Sequence, residues 1–252
     1  MTEFALGVDV GRRGGTTAFA IVKRRVRVKP TIAEAFRTYD GMLEPGQWLD
    51  YNEAHERDEW NRKQVQLMIG ADEHVASIID WEEPRYVLSY LERYQSGTPH
   101  SAIVDALVQL HDTPPIKDNV AAYFAVNAVG QAFVDEFKHR CFRQNIWCNP
   151  KAFSVGTDVG FAEGDSLTPG TIGVNELLSQ VELLMGAGRV DLKLSNSKHL
   201  PALLQAIERQ ETAREHYMED MRPSAEAYDL LYALALAIFG AKTMIGQLWW
   251  IG

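Results

Sequence analysis

Residues 225–241 (AEAYDLLYALALAIFGA) are apolar around almost the whole circumference of a helix. Such a helix cannot lie on a surface and must be enclosed by other layers. The chain therefore has to supply covering elements, and its remaining pattern offers them. Residues 4–10 (FALGVDV) form a short apolar run that ends at the glycine-rich stretch 11–15, and residues 17–22 (TAFAIV) resume it. That pattern predicts a strand, a tight turn and an antiparallel strand. Residues 85–94 (RYVLSYLERY) make a β-rich run. Residues 120–126 (VAAYFAV) read as a fully buried strand, bounded by Gly130 and an amphipathic helix through Arg140. Strands first, then alternating strands and helices, predict an α/β domain with a mixed sheet.

Further helices are legible from spacing. Thr98 and Pro99 supply an N-cap and a first-turn proline for a helix with Ile103, Val104, Leu107 and Val108 on one face. Leu177, Leu178, Val181, Leu184 and Met185 form an apolar stripe that stops at Gly186 and Gly188. Ser197 is expected to cap a helix carrying Leu200, Leu203, Leu204 and Ile207, and Pro223-Ser224 to open the apolar one. Ile146 to Cys148 is a candidate strand start, residues 61–69 a helical stretch, and residues 154–173 a long loop. With 252 residues, 46% of them hydrophobic, the chain is neither disordered nor a disulfide-stapled scaffold. Cys141 and Cys148 match no zinc or redox spacing, and Met1 leads directly into strand-like sequence. Both point to the cytoplasm. The longest apolar stretch, residues 230–240, is too short to span a bilayer, so no membrane partner is expected.

The formal charge is −9, but it is concentrated. Residues 40–84 hold 12 acidic and 3 basic residues, which leaves 22 of each sign elsewhere. This acidic, turn-rich segment reads as an insertion or lid. Within the neutral remainder, residues 23–29 (KRRVRVK) put five basic residues in seven positions. Lys23, Arg24, Arg25 and Arg27 are therefore candidate DNA-phosphate contacts. The competing reading is a solvated edge strand or turn protected by its charge.

Two isolated carboxylates are candidates for chemistry. Asp9 lies in an otherwise apolar strand, and Asp229 is the single charged residue between Ala227 and Ala241. An ionised carboxylate in such surroundings needs an ion pair or a metal. The two could converge at a hard-cation site. The turn within residues 7–17 (GVDVGRRGGTT) also suits an actin-like phosphotransferase half. No G-x-x-x-x-G-K-[ST] or G-x-S-x-G motif occurs.

The order of segments resembles the nuclease domain of tailed-phage terminase large subunits, a ribonuclease H-like family. The resemblance covers residues 5–22 and 85–241. It rests on Gly7 to Gly11 with Thr17 to Ile21, on Leu91-Glu92-Arg93 followed by Gly97-Thr98 and Ile103-Val104, and on Val129-Gly130 with Val134-Asp135. LLMGAGRV (183–190) and YDLLYALALA (228–237) complete it. The resemblance implies a ribonuclease H-like mixed sheet flanked by helices, in a single domain over residues 1–252 with the acidic insertion at about 40–84. It implies metal-dependent hydrolysis of double-stranded DNA during packaging, with Mg²⁺ or Mn²⁺ held by Asp9 and Asp229. A separate packaging ATPase, portal or small terminase subunit would be the partner.

The family's carboxylate set is incomplete here. A gapless match puts Ala125 at the central-strand Asp, a shift of two offers Asn127, Tyr228 replaces the first Asp of the helical pair, and Gly15 stands where relatives often carry Asp. Asp158, Glu163 and Asp165 are candidate substitutes. Weak or absent catalysis follows from two carboxylates alone. The alternative is an inactive module that binds DNA or a packaging partner.

Overall fold

The computed structural model describes residues 3–11, 15–29, 46–69, 77–126, 130–156, 161–162, 169–194, 197–215 and 225–243. Strands β1 (Phe4–Asp9) and β2 (Thr17–Val28) form the antiparallel pair expected from the sequence. They are followed by β3 (Trp48–Asp50), α1 (Tyr51–Ile69), β4 (Ile79–Tyr94) and α2 (His100–His111). Next come β5 (Val120–Val126), α3 (Gly130–Arg143), β6 (Lys151–Gly156) and β7 (Gly170–Gly173). Then α4 (Val174–Gly186), β8 (Val190–Asp191), α5 (Leu200–Glu215) and α6 (Ala225–Thr243) complete the order. All eight strands join one sheet, ordered β7-β6-β5-β1-β2-β4-β8, with β3 pairing β2 beside this path. β5, β6 and β7 continue parallel from β1, whereas β2 is antiparallel to both β1 and β4. This is the mixed α/β sheet that the order of strands and helices predicts.

Side-chain size decides which helices cover which face. Alternate residues of a strand point to opposite sides. On one side β1 and β2 carry Phe4, Leu6, Val8, Phe19 and Ile21, which pack with Val104 and Leu107 of α2 and with Phe133 and Phe137 of α3. On the other side Ala5, Ala18 and Ala20 present almost no bulk. There α6 lies close to the backbone: a methyl at Gly7 would overlap the Ala233 carbonyl oxygen and lie 2.5 Å from the Ala237 nitrogen. α4 and α5 pack against α6 from outside. That enclosure explains the apolar circumference of α6 seen in the sequence.

Several expectations need correction. Residues 23–29 are not an edge or a turn. β2 runs on to Val28 between neighbours, because β3 pairs with Arg25 to Arg27 on the side where β1 has ended. β4 starts at Ile79 rather than 85, and its pairing with β2 is irregular between Arg85 and Asp80, where Pro84 interrupts the ladder. Thr98 does not cap α2; its hydroxyl donates to the Gln95 carbonyl, and Pro99 holds the cap position without a side-chain hydrogen bond. The helix expected near 61–69 begins ten residues earlier, at Tyr51.

Ile146 to Cys148 form no strand. The chain turns there through Asn145 at φ 55°, and the Ile146 amide donates back to the Cys141 carbonyl, ending α3. The next strand is therefore β6, and the supposed loop 154–173 includes the end of β6 and all of β7. Ser197 Oγ accepts the His199 amide ahead of α5. Pro223 and Ser224 lie outside the described residues.

The acidic segment builds a third cluster, in which Leu49, Tyr51 and Ala54 meet Val26, Val28, Ile78 and Ile79. Asp58 anchors it. This buried carboxylate accepts the Ile78 amide and the Ser77 hydroxyl, each at 2.9 Å, and the Arg62 guanidinium at 2.5 Å.

Candidate functional site

β1 and β5 run parallel and finish side by side, so their carboxyl ends open at one edge of the fold. Asp9 is the last residue of β1, and its register partners are Ala18 on β2 and Ala125 on β5. Two residues earlier, Gly7 lets α6 settle onto the strand at Ala233. One helical turn before Ala233 is Asp229. Two strand residues and one helical turn cover comparable lengths, about 6 to 7 Å and about 5.4 Å. The absent side chain at Gly7 thus brings the two aspartates level with each other.

Their surroundings differ. Asp9 is partly buried, and desolvation followed by the charge of Asp229 pushes its pKa up from 3.8 to about 7. Asp229 is only 3% exposed, yet both its oxygens are occupied. Oδ1 accepts the Leu230 amide at 2.8 Å, and Oδ2 accepts Arg93 Nε at 2.7 Å. Arg93 comes from the end of β4 and registers with Ala18, the same residue that registers with Asp9. Arg93, Ala18, Asp9 and Ala125 therefore form one row across four strands. Tyr232 stands one turn beyond Asp229, its pKa pushed up to about 12 by burial and then by Asp9.

This row places one of the two central positions that the sequence offers. Ala125 stands beside Asp9 and belongs to the cluster on the α6 side of the sheet. Asn127 falls outside the described residues, as do Asp158, Glu163 and Asp165. Gly15 is exposed, and Tyr228 bonds through its hydroxyl to Gln210, not to either aspartate. Among the described residues no group of three or more His, Cys, Asp or Glu side chains is placed to hold a metal ion. The two described carboxylates, one already bound to a guanidinium, do not by themselves fit a two-cation centre, which depends on ligand number and charge.

The basic run is not brought to these carboxylates. Lys23 registers with Phe4, five residues from Asp9 and therefore about 17 Å along the strand. Lys23, Arg25 and Arg27 share the opposite face from Asp9. They are largely answered locally: Lys23 pairs with Asp50 at 2.5 Å and Glu3 at 2.9 Å, and Arg25 with Asp50 at 3.1 Å. Arg27 and Arg85 both stack over Trp48. Arg24 points the other way, is 3% exposed, and lies 4.2 Å from the Tyr51 ring centre.

Arg93 stands in the sequence only as part of the LER motif, and no local pattern marks it as a site residue. Nor does one mark the cluster in which Glu92 accepts His199 at 3.0 Å and pairs with Lys198 at 3.3 Å. That cluster borders a cleft of about 360 Å³ lined by Ser89 to Glu92, Leu194 and Ser197 to His199, with neither aspartate in its wall.

No protein-family model matches the chain, and no curated protein does. Among solved structures, it is similar to the human cytomegalovirus terminase nuclease domain soaked with Mn, at 10% identity and a TM-score of 0.45, over 93% of this chain and 81% of that one. A second form, Mn-soaked with an inhibitor bound, gives 11% identity and a TM-score of 0.42 over 94% and 83%. No described helix is long and apolar enough to cross a membrane.

Proposed function

We propose that this chain is a terminase-type, ribonuclease H-like module that engages double-stranded DNA, in concert with a separate packaging ATPase, portal or small terminase subunit, and is deficient in phosphodiester hydrolysis. The observation that carries this reading is Ala125 beside Asp9, where hydrolysis would require a third carboxylate. The position of the basic run supports it too. A duplex held at Lys23, Arg25 and Arg27 lies on the far face from Asp9, so binding and cutting are not aligned. Arg24 is not among the proposed contacts, because it is buried. Any Mg²⁺ or Mn²⁺ at Asp9 and Asp229 would rest on two protein carboxylates and bind weakly.

Two assays test this. Incubation of the protein with supercoiled plasmid in Mn²⁺ should leave the plasmid intact, while a mobility shift on duplex DNA should persist in EDTA. Nicking that disappears in EDTA and in Asp9→Ala would restore the nuclease reading. A chain that shifts no duplex at low salt would remove DNA binding altogether.

A further inference from the structure

The site has Ala125 beside Asp9, yet its carboxylates are not left with uncompensated charge. Arg93 reaches across the row from β4. Between it and Asp9 stands Ala18, whose methyl group leaves the space over the sheet open for a long side chain. The guanidinium closes on Asp229 at 2.7 Å and is itself mostly buried, with its side chain 17% exposed. Its Nη2 atom is buried and has no hydrogen-bond partner among the described residues. A fixed cation therefore touches the same carboxylate that a metal ion would need, and the other oxygen of that carboxylate takes the Leu230 amide.

We infer that Arg93 is a built-in counter-cation that replaces a divalent ion at the Asp9–Asp229 pair and keeps Mg²⁺ and Mn²⁺ out. This rests on the reading of the site as a hydrolysis-deficient ribonuclease H-like centre. A dication entering beside Arg93 would meet a like charge within the reach of one carboxylate, in surroundings that screen it poorly. Removing the guanidinium leaves two facing carboxylates with no counter-charge, which is the condition that favours uptake of a hard cation.

The experiment measures Mn²⁺ binding by the loss of the free-ion electron paramagnetic resonance signal, alongside the thermal midpoint with and without Mn²⁺, on the full chain. The wild type should bind no Mn²⁺ in an Asp9-dependent manner at about 1 mM, and its midpoint should not move. Arg93→Ala should melt lower and be raised again by Mn²⁺, with affinity at least about tenfold above wild type. Adding Asp9→Asn to that variant should abolish the rescue.

Stoichiometric Mn²⁺ binding by the wild type that vanishes in Asp9→Asn would overturn the inference. So would a folded Arg93→Ala or Arg93→Gln without gain in Mn²⁺ affinity. If neither variant folds, the wild-type titration still decides. DNA affinity is read separately by mobility shift, so failure of DNA binding would sink the proposed function while leaving the metal result to stand or fall alone.

Discussion

The Asp9 carboxyl is held where its charge is disfavoured, by burial first and by Asp229 second. Its proton is retained up to about pH 7 in the folded chain but is lost near 3.8 when unfolded. The folded state therefore binds more protons across that interval. The stabilisation from this group is complete below the unfolded value and is lost as pH rises through about 7. Asp9→Asn should accordingly match wild type at about pH 3 and exceed it by about 2 kcal/mol at pH 8. Each tenfold change in proton affinity is worth about 1.4 kcal/mol, and the solvent that reaches this carboxyl reduces the total. Urea unfolding at the two pH values checks this; a pH-independent difference would show that Asp9 titrates alike in the folded and unfolded chain. Asp9 and Asp229 were legible because each is a lone charge in an apolar run. Arg93 was not. It sits in a polar-looking LERY stretch, and the carboxylate that explains it is 136 positions away, a separation that no local pattern encodes.

Among the elements, the closest fit is α6 on β1. Gly7→Ala would drive a methyl into the Ala233 carbonyl, so the helix must retreat from the strand. Overpacking against backbone costs about 3 kcal/mol, and the retreat also separates Asp229 from Asp9. Gly186→Ala, with nothing within 4 Å, is the control and should change stability by less than about 0.5 kcal/mol. Chemical denaturation of both variants tests the contrast. A second prediction concerns α1. Asp58→Ala strands the Ile78 amide and the Ser77 hydroxyl, and should cost about 2 to 4 kcal/mol while raising amide exchange in α1 and at the start of β4. Unchanged exchange would mean that apolar contacts alone hold the segment. Strands β1, β2 and β5 and helices α3, α4 and α6 were readable from periodicity. The loss of Ile146 to Cys148 from the sheet was not, since it follows from a backbone hydrogen bond that terminates α3.

For the whole molecule, the uneven charge acquires a shape. Acidic residues from 40–84 do not form a detached lid where they are described. Asp50 sits on β3 beside β2 and neutralises Lys23 and Arg25. Asp50→Asn should therefore free Arg25 and leave Lys23 to Glu3 alone, strengthen binding to duplex DNA several-fold, and steepen the dependence on log salt by about one unit. Fluorescence anisotropy at two ionic strengths measures both quantities. An unchanged slope would exclude Arg25 as a phosphate contact. The sequence showed the two charge blocks separately, but only the pairing of β3 with β2 reveals that one masks the other.

The packing of α6 against β1 also imposes an order on the birth of the protein. Asp9 leaves the ribosome with the first strand, but its partner arrives at position 229, with the last described helix. Until then the alanine-lined face of the sheet has no cover, and the two aspartates cannot meet. A chain interrupted between β8 and α6 would contain its strands, its basic run and its acidic segment, yet would hold an open, adhesive sheet in place of a site. The pairing of Asp9 with Asp229 is thus a mark that synthesis has passed α6.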